Sequence, residues 1–112
     1  MEKKYEVVFS IVNAGFSDNV MFGARKAGAI GGTILKGRGT APREAEEAFK
    51  LKIQPEKEIV MLLVPHEIKD DVLREIYRLA GPDSDSQGIT FSLPVDRTLG
   101  LDDFVEAEKK AQ

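Results

Sequence analysis

Two glycine-rich stretches carry the most suggestive chemistry in this sequence. Gly31-Gly32-Thr33 and Gly37-Arg38-Gly39-Thr40 offer backbone without side chains, so that a ligand can approach closely. Arg38 and Lys57 are cations that could pair with an anion there. The glycine spacing fits neither the dinucleotide-binding fingerprint nor the P-loop pattern, in which the lysine follows the last glycine. The residues alone therefore allow both an anion-binding turn and a purely structural one.

The only histidine, His66, stands beside Glu67, Asp70 and Asp71, which suggests either a cation site or a solvated helix start. Acidic side chains favour the first turn of a helix through its dipole alone. The strand ligands that a metal would need are not identifiable. We favour the helix start and expect no metal.

Catalysis has no support in the motifs. No nucleophile elbow or comparable pattern accompanies Ser10, Ser17 or Ser92. The paired acids at 70–71 and 102–103 fall at helix starts, where capping explains them. We therefore expect a protein that is not an enzyme.

The first half of the chain predicts two strands, a helix and a loop. Residues 5–12 are rich in β-branched and aromatic side chains and end at a turn signal, which indicates a strand. A helix should follow, with Ser17 as its N-cap and its end near Gly28. A second strand is expected at 31–37, and the polar residues 41–55 are expected to form a long loop.

The second half repeats this order. Residues 58–64, with six consecutive apolar side chains, predict the strongest strand, and residues 67–80 predict an amphipathic helix that stops at Gly81-Pro82. Alternation at 89–95 predicts an edge strand, because Pro94 cannot donate to a neighbouring strand. A short C-terminal helix is expected at 101–110.

This order of elements predicts an α+β fold. It is the βαββαβ order of a ferredoxin-like domain, with a four-stranded antiparallel sheet and both main helices on one face. A doubly wound parallel sheet would need more strands, with helices on both faces.

Residues 59–64 are apolar on both faces of their strand, although helices on one side can cover only one of them. We expect a homo-oligomer that buries the other face. A tail folded back over the sheet is the alternative.

Composition narrows the class of protein. The 112 residues fit one domain spanning 1–112. The net charge of −3 gives no basis for binding nucleic acid, and residues 59–65 are too few to cross a membrane. The chain has no cysteine, and Met1 to Lys4 lead into a strand rather than a secretion signal, so we expect a cytoplasmic protein.

Four segments together carry a resemblance to a known family; they are residues 24–33, 37–40, 54–60 and 88–96. They resemble the nitrogen-regulatory P-II signalling family and its P-II-like relatives over nearly the whole chain. The resemblance implies a homotrimer that binds an adenine nucleotide (AMP, ADP or ATP) in clefts between subunits. It also implies a T-loop, here about residues 40–53, that controls a partner protein such as a membrane transporter or a metabolic enzyme.

The resemblance also implies roles for individual residues. Thr33 would lie near the adenine and Leu63 would line the base. Gly37 and Gly39 would form the base of the T-loop, with Arg38 and Lys57 supplying positive charge for the phosphates. The residues expected to wrap the phosphates are Gln87, Gly88 and Ile89.

The sequence departs from well-studied P-II proteins in its charges. Ile89 stands where they carry a lysine, and Gly100 and Asp102 stand where they carry arginines. A mono- or diphosphate is therefore as consistent a ligand as a triphosphate. The loop at 40–53 is short and has no tyrosine to modify, since Tyr5 and Tyr77 are the only two.

Two other functions of the same fold stay open. One is a ligand-free trimeric adaptor, and the other is a metal-responsive relative of the copper-tolerance trimers. The missing cysteines and the single histidine disfavour the second.

Overall fold

The computed structural model describes residues 4–40 and 55–111, the side chains of 108–111 excepted. The predicted order of elements is confirmed in these ranges. The strands are β1 (Tyr5–Asn13), β2 (Thr33–Arg38), β3 (Glu56–Pro65) and β4 (Ile89–Pro94). The helices are α1 (Ser17–Lys26), α2 (Lys69–Ala80) and α3 (Leu101–Ala111), with a 3-10 turn at His66–Ile68 before α2.

The four strands form one antiparallel sheet in the order β2-β3-β1-β4. The two central strands, β1 and β3, pair over nine positions from Tyr5↔Pro65 to Asn13↔Lys57. Strand β4 lies at an edge, as Pro94 predicts. The predicted ferredoxin-like fold is therefore confirmed.

One face of the sheet carries the core. Helices α1 and α2 pack against each other and against β1 and β3. The side chains between these layers are fully buried; they include Val8, Val12, Val20, Leu62 and Ile76. Ser10 is also buried on this face, and its hydroxyl shares a hydrogen bond of 2.9 Å with that of Thr90. These contacts fix both helices on one side.

The opposite face of the sheet is apolar and largely uncovered, and we call it the open face. Its members follow from the alternation of the strands and their register: Val7, Phe9, Ile11, Leu35, Ile59, Met61, Leu63, Ile89, Phe91 and Leu93. The rings of Phe9 and Phe91 stack with centroids 5.4 Å apart. Exposure reaches 50% at Leu93 and 64% at Ile89, so this face is a candidate interaction surface.

One hydrogen bond ties the C-terminal helix to the first strand. The hydroxyl of Tyr5 donates to Asp102 Oδ1 at 2.8 Å, and Tyr5 is 5% exposed. Burial first, and then the Asp102 carboxylate, raise the pKa of this phenol.

Two local expectations need correction. Helix α1 begins at Ser17, so Ser17 is not its N-cap, and Phe16 in that position makes no side-chain capping bond. Strand β2 begins at Thr33 rather than at residue 31. Of the loop predicted at 41–55, residues 41–54 lie outside the described ranges. None of the helices described is long and apolar enough to span a bilayer.

Candidate functional site

The cation that the sequence singled out is held at one end of the open face. Lys57 stands at the start of β3, paired with Gly37 on one side and with Asn13 on the other. Its ammonium nitrogen lies 2.7 Å from Asn13 Oδ1. The amide partner is neutral and does not cancel the charge of the ammonium group, so among the described residues Lys57 keeps a positive charge that can attract an anion.

The same asparagine holds the loop that enters β4. Asn13 Nδ2 donates to the carbonyl of Asp85 at 3.0 Å and lies 3.4 Å from Gln87 Oε1. Its backbone N–H donates to the carbonyl of Ser86 at 2.9 Å. The structure thus brings two predicted site residues, Lys57 and Gln87, to a shared partner.

The β2–β3 hairpin closes beside Lys57. The N–H of Gly39 donates to the carbonyl of Pro55 at 2.7 Å, which joins the two chain segments where they lead to residues 41–54. A Cβ at Gly39 would lie 2.9 Å from Lys57 Cε, so the lysine stem runs against a residue with no side chain. The structure therefore brings Gly37, Gly39 and Lys57 together.

The second predicted cation stands apart from the first. Arg38 pairs with Glu56, one register position from the Gly37–Lys57 pair. Neighbouring strand positions point to opposite faces of a sheet, so the side chains of Arg38 and Lys57 leave opposite faces. One small anionic group on the open face therefore meets Lys57 without Arg38.

The predicted phosphate loop is tightly built. Gln87 adopts a left-handed backbone, with φ of 46°. Its N–H donates to the carbonyl of Ser84 at 3.0 Å, and the N–H of Gly88 donates to that of Ala80 at 2.9 Å. Backbone N–H groups of a loop that wraps phosphates are expected to donate to them. Two of these N–H groups are engaged within the chain, so they would have to change partner first.

Thr33 and Leu63 lie on the open face but away from Lys57. Thr33 pairs with Met61, and Leu63 is 40% exposed six residues beyond Lys57 on the same strand. At a rise of about 3.3 Å per residue, Leu63 is about 20 Å from Lys57. Within one chain these residues do not converge on a single small ligand.

An internal carboxylate occupies the start of helix α1. Glu58 Oε1 accepts the N–H of Gly15 at 2.7 Å and lies 3.4 Å from the nitrogen of Ser17. The carboxylate of Glu58 therefore lies at the positive, N-terminal end of this helix dipole. Within the described ranges no group of three or more His, Cys, Asp or Glu residues is placed to hold a metal ion.

A groove runs along the β4 edge of the domain. It lies between α2 and the start of β4, is almost wholly apolar, and is lined by residues that include Leu73, Tyr77, Pro82 and Ile89. The predicted site residues Gly88 and Ile89 thus face a groove on the outer edge of the sheet, whereas Lys57 stands on the other side of β1.

The fold and this site define a class: a ferredoxin-like α+β domain with an apolar open face and a lysine on that face at the base of its β2–β3 hairpin. Solved structures that share this fold include P-II proteins. The Arabidopsis thaliana P-II protein bound to citrate matches with 21% identity and a TM-score of 0.66, over 90% of this chain and 83% of that chain. The Bacillus subtilis GlnK–ATP complex matches with 16% identity and a TM-score of 0.64, over 91% of both chains.

A third match is a putative P-II-like signalling protein of Thermus thermophilus, with 15% identity and a TM-score of 0.62, over 83% of this chain and 87% of that chain. No protein-family model matches the sequence, and a search of curated proteins also found no match. The resemblance to P-II proteins expected from the sequence is thus confirmed at the level of the fold.

Sequence reasoning missed two residues of this region, Asn13 and Glu58. In the sequence, Asn13 indicates only the turn that follows the first strand. Its partners Lys57 and Gln87 are 44 and 74 residues away along the chain. Neither role has a local sequence signal, because each depends on the strand register.

Proposed function

We propose that this chain is a P-II-like signal-transduction regulator of the cytoplasm. Three copies would bury their open faces against one another, and an adenine nucleotide would bind between neighbours. The loop at 40–53 would report occupancy to a partner, such as a transporter or a metabolic enzyme. The nine sequence-predicted site residues remain the proposed nucleotide contacts.

The observation that carries this proposal is the position of Lys57. It stands on the open face, where a second chain would pack, and at the base of the hairpin that leads to residues 41–54. An anion held by Lys57 is therefore close both to a subunit seam and to the start of the loop. Binding there can shift the loop between states with different affinity for a partner.

The assembly explains how separated residues could share one ligand. Leu63 lies about 20 Å from Lys57 along β3, so the two do not converge on one end of a nucleotide within one chain. Neighbouring copies would supply the base contacts and the phosphate contacts from different subunits. If the nucleotide binds between subunits, as proposed, a single chain should hold only part of the site.

A thermal-shift panel of AMP, ADP and ATP tests the proposal. At least one nucleotide is expected to raise the Tm by several degrees and to protect the loop at 40–53 from protease. Lys57→Met should reduce both effects, whereas Lys26→Met, an equal charge change on an exposed position of α1, should not. If none of the three nucleotides changes either readout in the unmodified protein, the proposal fails.

A further inference from the structure

We propose that Asn13 is a positioning residue that couples Lys57 to the loop at residues 84–88. An anion that draws Lys57 away would then alter the stability of that loop. The inference rests on the function proposed above, in which Lys57 holds the anionic part of the ligand. It adds a way in which binding of the anion at Lys57 affects a part of the chain outside the binding site.

The chemistry of the neighbours fixes the orientation of the Asn13 amide. An ammonium group only donates hydrogen bonds, so the atom that faces Lys57 at 2.7 Å is the amide oxygen. The amide nitrogen then faces the carbonyl of Asp85 at 3.0 Å, which only accepts. Only one of the two amide orientations satisfies both neighbours.

Burial makes this arrangement sensitive to loss of either partner. Asn13 is 6% exposed, so an unpaired amide atom there would find little water. Because the side chain bonds Lys57 at one end and the loop at the other, movement of Lys57 frees the amide to turn. The carbonyl of Asp85 then loses its donor.

Two backbone hydrogen bonds also hold the loop at residues 84–88, beside its contact with the Asn13 side chain. Asn13 N–H donates to the carbonyl of Ser86, and the N–H of Gly88 donates to that of Ala80 at the end of α2. A change at Asn13 therefore reaches the entry of β4 and the neighbouring end of α2. These are the elements that flank the apolar groove.

Amide hydrogen exchange of the ligand-free protein tests the coupling through three variants. Asn13→Ala removes both contacts, Asn13→Asp keeps an acceptor for Lys57 but removes the donor to the loop, and Lys57→Met removes only the lysine contact. Exchange at the amides of residues 13, 87 and 88 is expected to be about tenfold faster in both Asn13 variants and about threefold faster in Lys57→Met. Lys26→Met is the charge-matched control and should leave these amides unchanged.

A double-mutant cycle separates positioning from a general structural role. The probe is whichever of AMP, ADP and ATP shifts the Tm most, titrated by calorimetry. Asn13→Ala should weaken its binding about tenfold in the Lys57 protein and less than about twofold in the Lys57→Met background. Equal losses in both backgrounds would show that Asn13 does not act through Lys57.

The two proposals can fail separately. If no adenine nucleotide binds the unmodified protein, the proposed function is wrong, and the exchange rates of Lys57→Met still decide the coupling. If nucleotides bind but Lys57→Met leaves exchange at residues 13, 87 and 88 at the wild-type rate, the coupling is overturned and the proposed function stands.

Discussion

The carboxylate of Glu58, on β3, accepts the backbone N–H of Gly15 at 2.7 Å, just before helix α1. This long-range contact takes the place of a local capping side chain, since the helix has no side-chain cap of its own. The same contact holds the N-terminal end of α1 against β3, the strand that carries Lys57. Besides the apolar core, one acid therefore joins the start of α1 to the sheet.

Glu58→Ala should lower the free energy of unfolding by about 1–2 kcal/mol, because the first turn loses an anionic acceptor near the positive end of the helix. Glu58→Gln keeps an oxygen acceptor without charge, so it should cost about half as much. Urea denaturation measures both. Glu56→Ala, at an exposed position two residues earlier, is the matched control and should stay within about 0.5 kcal/mol of wild type.

The elements of the fold were predictable because each has a local cause. Alternating or continuous apolar residues mark the strands, and Pro94 confines the last strand to an edge. The amphipathic stripe of α2 buries Val72 and Ile76 as its period requires. The predicted N-cap of α1 was wrong because its cause is not local. The acceptor is Glu58, which is 43 residues from Gly15 along the chain.

A second prediction concerns pH and the bond between Tyr5 and Asp102. Burial, and then the neighbouring carboxylate, raise the pKa of Tyr5 above its ordinary value of 10.0. The protonated phenol therefore stabilises the folded state fully below pH 10.0, and this contribution is lost as the pH rises through the higher pKa of the folded state. Stability should fall in strongly alkaline solution more steeply than in a variant without this hydroxyl.

Tyr5→Phe provides that variant. It should lose about 1–2 kcal/mol at neutral pH, because a hydrogen bond to a charged group disappears. The difference from wild type should shrink above pH 10, which denaturation curves at several pH values measure. Tyr77→Phe, at a position 65% exposed, should change neither quantity. A constant difference between Tyr5→Phe and wild type at every pH would contradict the assignment.

A third prediction concerns the close approach at Gly88. A Cβ there would collide with the carbonyl oxygen of Ala80 and lie 3.0 Å from Val12 Cγ1. Gly88→Ala should therefore cost about 2–3 kcal/mol, as expected for overpacking against a rigid backbone. Gly31→Ala, where no atom beyond the two chain neighbours lies within 4 Å of the added carbon, should cost less than about 0.5 kcal/mol. Equal stabilities of the two variants in urea denaturation would rule out this close packing of the loop against α2.

The site was less predictable than the fold because it depends on register. The sequence indicated Arg38 and Lys57 as two cations of one turn, yet the pairing of β2 with β3 directs them to opposite faces. That pairing depends on both strands together, and one residue of shift in the register would reverse the result. The role of Asn13 is hidden for the same reason.

The last prediction tests the open face as the assembly surface. Leu93 is 50% exposed in β4 and pairs with Val7, so a charge at this position would be solvated in one chain and buried in an assembly. Leu93→Glu is expected to sediment as a monomer, whereas the unmodified protein is expected to sediment as a trimer. Phe22→Glu, at a position 64% exposed on α1, places the same charge on the helical side and should leave the trimer intact. A monomeric unmodified protein, or a Leu93→Glu variant of unchanged mass, would exclude the open face as the surface that joins the subunits.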